Sequence, residues 1–283
     1  MTEARATGQP DAGDFERRFG GLRRLYGAEG ANAIFDAHVV VVGIGGVGSW
    51  AAEALARSGV RRLSLVDLDH VAESNINRQV HATGTTLGMA KVQAMADRIA
   101  QIHPTCVVDR VDAFAGPDNW SDLMTQLVPD LAAERPALID ACDQVRAKEA
   151  IAAWTLQHAS MLVTVGAAGG KRLPQATEVG DLSEVTHDPL LARLRQRLRK
   201  YHGAARQGHI GVACVFSRES VAGPDASCMV ESPDGSLNCH GYGSVVSVTA
   251  SFGLCAAGVL LNALARGSSK ISERSMKVRK NTL

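Results

Sequence analysis

The chain reads as an α/β protein of Rossmann-like type: a mostly parallel sheet with helices on both faces, extended by a C-terminal mixed α/β part. Three observations predict this. Apolar runs of strand length alternate with helix-length segments between residues 38 and 165. The first run, His38-Val39-Val40-Val41-Val42, leads directly into glycines at Gly43, Gly45, Gly46 and Gly48. The second, Leu63-Ser64-Leu65-Val66, ends on Asp67 and Asp69, the first of them about twenty residues beyond the glycine turn. Strand, glycine turn, helix and acid-ended strand make a βαβ nucleotide-binding unit.

The elements follow in order. Residues 1–14 are small, polar and interrupted by proline and glycine, which predicts a disordered tail without the apolar core of an export signal. Phe15, Phe19, Leu22, Leu25 and Tyr26 recur at roughly helical spacing, with a turn at Gly27 and a second helix to Phe35. An alanine-rich helix covers about residues 49–57, and another runs from Lys91 to Ile102 until Pro104 closes it. Val107–Val111 is the third strand, and Asp118 is placed to cap the helix after it. Ala137-Leu138-Ile139 is the fourth strand, ending Asp140-Ala141-Cys142-Asp143. Gln144–His158 is helical, and Met161–Val165 is the fifth strand. The glycine run Gly166–Gly170 then ends the alternation, and the remainder is expected to cap the sheet and supply substrate contacts. The reading divides the chain into a nucleotide-binding part at 15–170, a C-terminal part at 171–266, and a flexible tail at 267–283.

Net charge is +1, so no global field announces a nucleic acid, and any such contact must come from a local patch. Six cysteines include no C-x-x-C pair, which excludes the usual paired-thiolate zinc site; no zinc is expected. Without an export signal, reduced thiols and a cytoplasmic location are the expectation. Cys106, Cys142 and Cys255 lie in apolar runs and read as packing residues.

The glycine turn poses the first chemical choice. Gly43, Gly45 and Gly48 satisfy G-x-G-x-x-G, a pattern shared with dinucleotide dehydrogenases and weak alone. A pyrophosphate carries only two charges and needs little beyond a helix end. Here Asn75, Asn77, Arg78, Gln79 and then Lys91 follow the acidic strand end. An arginine fork and a compact lysine charge suit a triphosphate and a phosphorus under attack, whereas a lone pair of cations would read as solvated surface. Asp67 can accept hydrogen bonds from ribose hydroxyls. Asp143, just past a parallel strand, can hold Mg2+ against a triphosphate or cap the next helix.

The later half carries three further candidates. After Asp188-Pro189, the residues Arg193, Arg195, Arg197, Arg199 and Lys200 wrap a helix, either as a solvated face or as a broad phosphate-backbone contact. Residues 217–238 are loop-like in composition, and Cys239 beside His240 is either a reactive thiol or an inert loop cysteine. Ser244–Leu264 is almost wholly apolar and long enough to span a bilayer; dilution by Ser, Thr and Gly favours a core or dimer helix, with membrane association left open.

Gly43-Ile44-Gly45-Gly46-Val47-Gly48-Ser49-Trp50, Asp67-x-Asp69, Ser74-Asn75-x-Asn77-Arg78-Gln79 and Gly88-x-x-Lys91 resemble the adenylating domain of ubiquitin-activating-type enzymes. Within that superfamily the resemblance is strongest to the tRNA threonylcarbamoyladenosine dehydratases, and it extends from Phe19 to about Leu264. It implies ATP and Mg2+ as cofactors, with Gly43, Gly45, Gly46, Gly48, Asp67, Asn75, Arg78, Gln79 and Lys91 at the nucleotide. It implies Arg78, Lys91 and Asp143 as catalytic groups, Asp143 matching the family's essential aspartate, with Cys239 as a further candidate. It also implies a homodimer in which an N-terminal helix lends an arginine to the partner; Gly21 stands at that place here, which leaves Arg24 as the substitute. The implied partner is tRNA carrying threonylcarbamoyladenosine, contacted by the cations of residues 193–200, with room for a sulfur-transfer partner of the cysteine desulfurase system. The alternative is activation of the C-terminus of a ubiquitin-like or sulfur-carrier protein. Missing zinc cysteines and the arginine helix favour the first.

Overall fold

Five-residue valine-rich segments with little side-chain polarity are buried on both faces when a parallel sheet is covered by helices, and β1 (His38–Val42) shows this directly. Val39 and Val41 point into one apolar layer and Val40 and Val42 into the other. The computed structural model describes residues 12–131, 133–223 and 242–267. Within them β1, β2 (Arg62–Val66), β3 (Val107–Val111), β4 (Ala137–Asp140), β5 (Met161–Val165), β6 (Thr177–Asp181) and β7 (Ala213–Ser217) form one sheet. Its order is β3-β2-β1-β4-β5-β7-β6, parallel except for β6 against β7. The chain moves outward from β1 to β3 and returns to β4 on the other side of β1. The crevice beyond Val42 and Asp140 is therefore the topological switch point, where open parallel sheets bind ligands.

Two helical layers cover the sheet. One contains α2 (Gly21–Phe35), α3 (Gly48–Arg57), α4 (Lys91–Ile102) and α8 (Val246–Ala265), through Ile34, Leu55, Ile99 and Phe252. The other contains α5 (Trp120–Leu127), α6 (Val145–His158) and α7 (Pro189–Tyr201), through Met124, Ile151 and Leu194. The segment beyond residue 170 extends the sheet by two strands rather than only capping it. β6 is a short, acid- and glycine-containing edge strand, and its register depends on Asp181 accepting the backbone N–H groups of Ile210, Gly211 and Val212 at 2.9, 2.7 and 3.1 Å. Such a clasp leaves no periodic signal in the sequence.

Several local readings meet their physical test here. α1 (Ala12–Phe19) starts inside the stretch expected as a tail, with Asp14 pairing to Arg17 and Arg18. Gly27, at φ 74°, breaks α2 where glycine alone adopts that backbone freely. Asp118 does not cap α5: the helix begins one residue later, and Asn119 Oδ1 accepts the Gly116 N–H at 2.8 Å instead. Asp188 does cap α7, accepting the Leu191 N–H at 2.9 Å. α8 is long and apolar enough to cross a bilayer, yet Val248, Phe252, Ala256 and Leu260 pack inward at four-residue spacing. A β-carbon at Gly253 would stand 2.3 Å from Val47 O, so the glycine is what lets α8 reach the start of α3. It is a core helix.

At the far end of the strands, His38 Nε2 lies 2.7 Å from Ser64 Oγ and Nδ1 lies 2.6 Å from Glu134 Oε1. That spacing matches a hydrolase triad, but Ser64 is fully buried within β2, so the group ties strand ends together and acts on nothing.

Candidate functional site

The turn after β1 is shaped by close backbone approach. Gly43 has φ +85°, and a β-carbon there would stand 2.9 Å from Cys142 N; one at Gly48 would stand 1.8 Å from Gly43 O. Gly46 lies under the Arg78 side chain, with 3.2 Å between its would-be β-carbon and Arg78 Cγ. At Gly45 a β-carbon would meet no protein atom within 4 Å, so this position opens onto the crevice. The N-cap of α3, Val47, has no side-chain acceptor, and the Ser49 N–H turns back to Gly45 O at 3.1 Å, so the helix starts directly on the glycine turn, the kind of helix end that suits an anion.

Asp67 extends from the end of β2 to meet this turn. Its Oδ2 accepts the Ile44 N–H at 2.6 Å and its Oδ1 accepts the Asp69 N–H at 2.8 Å. Burial pushes its pKa up, and the Lys91 charge pulls against that. Lys91, only 6% exposed at the first turn of α4, donates to Asp69 Oδ2 at 2.6 Å and lies 4.0 Å from Asp67 Oδ1. A buried ammonium with two carboxylates holds a fixed cation beside the carboxylate that faces the glycine turn. Arg78 Nη1 donates to Ser74 O at 2.6 Å and to Asn77 Oδ1 at 2.9 Å, while the Arg78 carbonyl accepts the Trp50 indole N–H at 2.9 Å. Asn75 is a loop builder, its Oδ1 accepting the Ala72 N–H at 3.0 Å. Gln79 is buried and its Oε1 has no partner among the described residues.

Asp143 stands on the other wall, beyond β4. It is exposed and its carboxylate has no protein partner among the described residues. An acceptor-only oxygen pair left open beside a phosphate cradle has the chemistry Mg2+ prefers: one carboxylate, with substrate oxygens and water completing the shell. Asp140 is a different kind of residue. It is fully buried, and its Oδ2 accepts from Lys148 Nζ at 3.1 Å and from Thr164 Oγ1 at 2.6 Å. Desolvation alone would lower the Lys148 pKa, but Asp140, joined by Cys142 and Asp188, outweighs it and the ammonium is held above its ordinary value.

The other candidates separate. Arg24 is exposed on α2 and makes no ion pair among the described residues; the neighbouring Leu25 is 75% exposed. In α7, Arg195 Nη1 donates to Leu182 O at 3.0 Å and Val185 O at 2.7 Å, Arg197 pairs with Glu149, and Arg199 Nε donates to Ala205 O at 3.0 Å. Arg193 and Lys200 are the exposed pair. The sequence offered only Asp188 as a local counter-charge; Glu149, on α6, is brought to Arg197 and His202 by the packing. Cys239 and Cys228 lie outside the described residues. Among the described cysteines, Cys106 is pushed up to about 12, and Cys142, Cys214 and Cys255 are also raised, all by burial first. None of these four is poised as a thiolate.

Two residues near the site escaped the sequence reading. His81 is buried with both ring nitrogens unpartnered among the described residues, and its pKa is lowered to about 4 by burial, Lys91 and Arg98. Its only signal is its place directly behind the Arg78-Gln79 pair. Lys171 is buried and donates to Ser217 O at 3.0 Å and Glu219 O at 2.8 Å, which fastens the Gly166–Gly170 run to the end of β7. In a sequence it is one more lysine after glycines.

The chain is similar to known proteins over most of its length. Over 251 residues the chain is 43% identical to the tRNA threonylcarbamoyladenosine dehydratase of Escherichia coli, covering 86% of this chain and 91% of that protein. It is 36% identical over 261 residues to the dehydratase of Haemophilus influenzae, covering 90% and 96%. The crystal structure of the E. coli tRNA N6-threonylcarbamoyladenosine dehydratase in complex with ATP matches with a TM-score of 0.77 at 40% identity, over 92% of this chain and 98% of that one. The ThiF family model matches residues 20–281, a span that holds the glycine turn, Asp67, Lys91 and Asp143. The chain belongs to the ThiF family.

Proposed function

We propose that this chain catalyses the ATP-dependent dehydration of N6-threonylcarbamoyladenosine in tRNA, activating the threonyl carboxylate as an acyl adenylate and closing it into a ring. The observation that carries the reading is the buried Lys91 ammonium, clamped by Asp67 and Asp69 directly behind the Gly43–Gly48 turn, with Arg78 laid across Gly46. Two cations at a glycine turn suit a triphosphate with a leaving pyrophosphate better than a dinucleotide. Similarity to dehydratases over nearly the whole chain, one of them crystallised with ATP, supports the substrate.

The roles follow from the geometry. Asp67, its carboxylate 4.0 Å from the Lys91 ammonium, accepts from ribose hydroxyls. The glycine-turn amides, Arg78 and Lys91 hold the phosphates. Asp143 would hold Mg2+, whose charge would neutralise the phosphate oxygens. A carboxylate resists nucleophiles because its charge repels them and oxide is a poor leaving group. Its oxygen attacks the α-phosphorus, the bond to pyrophosphate breaks, and the oxide is now part of an AMP leaving group. A nucleophile already in the threonylcarbamoyl side chain closes a five-membered ring and expels AMP, its approach favoured because the reacting atoms are covalently joined. Two copies are proposed to associate through the α2 side, where Arg24 and Leu25 are exposed.

Pyrophosphate release with bulk tRNA, with and without the threonylcarbamoyl modification, tests the reading: release is expected only with modified tRNA. Lys91→Ala and Asp143→Ala are each expected to reduce release by about a hundredfold or more, the scale of losing an electrostatic stabiliser at developing charge. Release driven by a diglycine-ended carrier protein, or release that survives both substitutions, would overturn it.

A further inference from the structure

Beneath the Ala141-Cys142-Asp143 turn lies a fully buried charge pair that the mechanism above does not use. Lys148 Nζ donates to Asp140 Oδ2 at 3.1 Å, to Asp140 O at 3.3 Å and to Thr164 Oγ1 at 3.1 Å, so all three of its protons are committed inside the protein. Asp140 is as fully engaged: Oδ2 takes Lys148 and Thr164, and Oδ1 accepts the Cys142 N–H at 3.2 Å and the Cys142 thiol at 2.9 Å. The pair therefore joins three elements around one turn. Asp140 ends β4, Thr164 lies on β5, and Lys148 comes back from the first turn of α6, where its own N–H donates to Gln144 O at 3.0 Å.

That turn touches both walls of the crevice. The Ala141 N–H donates to Val42 O at 2.9 Å, and Gly43 packs so closely on Ala141 and Cys142 that a β-carbon would stand 3.0 and 2.9 Å from their backbone atoms. The next residue is Asp143. A shift of the turn thus moves the carboxylate and the glycine cradle together. We propose that Lys148 is a positioning residue for adenylation, holding Asp143 and the Gly43 side of the cradle in register through Asp140 and Thr164.

A stabilising role alone does not account for this arrangement. Two charges taken fully out of water lose solvation that their attraction only about offsets, and an apolar pair of similar volume often serves stability as well or better. What an apolar pair cannot do is accept the Cys142 N–H and thiol and so orient the turn. Outer-shell partners of this kind commonly tune metal affinity without touching the metal.

The inference rests on the adenylation reading, and its test is built to separate the two. Lys148→Met leaves a buried, unpaired Asp140 and is expected to lower the thermal midpoint. Adding Asp140→Leu makes the pair apolar and is expected to restore much of it. In both variants the strengthening of ATP binding by Mg2+, measured by titration calorimetry with and without the metal, is expected to fall about tenfold or more, on top of a smaller loss of metal-free ATP binding from the displaced Gly43 side of the cradle. Pyrophosphate release should fall alongside. Thr164→Val, which removes one hydroxyl and nearly keeps the shape, should lower the Mg2+ effect in the same direction by about threefold, and it serves if the others do not fold. A folded double variant, or Thr164→Val, whose Mg2+ effect matches wild type overturns the positioning role. Absence of pyrophosphate release by wild type with modified tRNA overturns the dehydratase reading instead, and the Mg2+ dependence of ATP binding still decides the role of Lys148.

Discussion

His81 is a buried imidazole with no described partner on either nitrogen, next to the positive charges of Lys91 and Arg98. Its folded pKa of about 4 lies below the ordinary 6.5, so between those values the unfolded chain binds the extra proton. Stability is therefore full above about pH 6.5 and is lost as pH falls toward 4, by up to about 3 kcal/mol from this group. Denaturant unfolding at pH 7 and pH 4.5 should show that slope in wild type and a flatter one in His81→Leu. The glycine turn gives a second contrast. Gly48→Ala places a methyl 1.8 Å from Gly43 O and should cost about 3 kcal/mol or more of stability, the scale of overpacking a tight site. Gly45→Ala meets no protein atom within 4 Å, so its unfolding midpoint should stay at wild type while ATP affinity falls. At this scale the sequence was informative about residues with a motif around them, such as Gly43, Asp67 and Lys91. It could not show His81 or Lys148, whose significance lies in what surrounds them after folding.

At the scale of elements, α7 illustrates why a charge run is not a binding stripe. Its buried positions, Leu191, Leu194 and Leu198, fix the helix rotation, which leaves Arg193, Gln196 and Lys200 outward and turns Arg195, Arg197 and Arg199 toward neighbours. Arg195 holds two carbonyls of the segment after β6, so Arg195→Ala should cost about 1–2 kcal/mol while leaving the salt dependence of tRNA binding unchanged. Arg193→Ala and Lys200→Ala should each weaken tRNA binding and reduce the slope of log affinity against log salt by about 1, read from binding isotherms at several salt concentrations. Arg193 and Lys200 both unchanged in slope would remove α7 from the RNA contact. The helix itself was legible from Asp188-Pro189 and its leucines; the assignment of its cations was not.

For the molecule as a whole, α8 is the element on which both the α2–α3 layer and the middle of the sheet depend. Leu260→Ala should cost about 2–5 kcal/mol by opening a core cavity, whereas Leu254→Ala, at a site 49% exposed, should change the unfolding free energy by no more than about 0.5 kcal/mol. Equal costs would contradict the packing of α8 against α3.

The sequence by itself determined the parallel five-strand frame, the glycine turn, the acid-ended second strand and the cations behind it. Those features are encoded within short windows, by side-chain period and backbone freedom. Only the tertiary structure decided that residues 177–181 and 213–217 join the sheet, that the apolar segment near the C-terminus is core, and that three of five cations in α7 are held by the protein. It also decided that Asp140 is a buried clasp while Asp143, three residues on, is exposed. The physical reason is common to all four: the cost of burying a charge or an apolar face depends on its partner, and these partners are brought together only when distant segments pack.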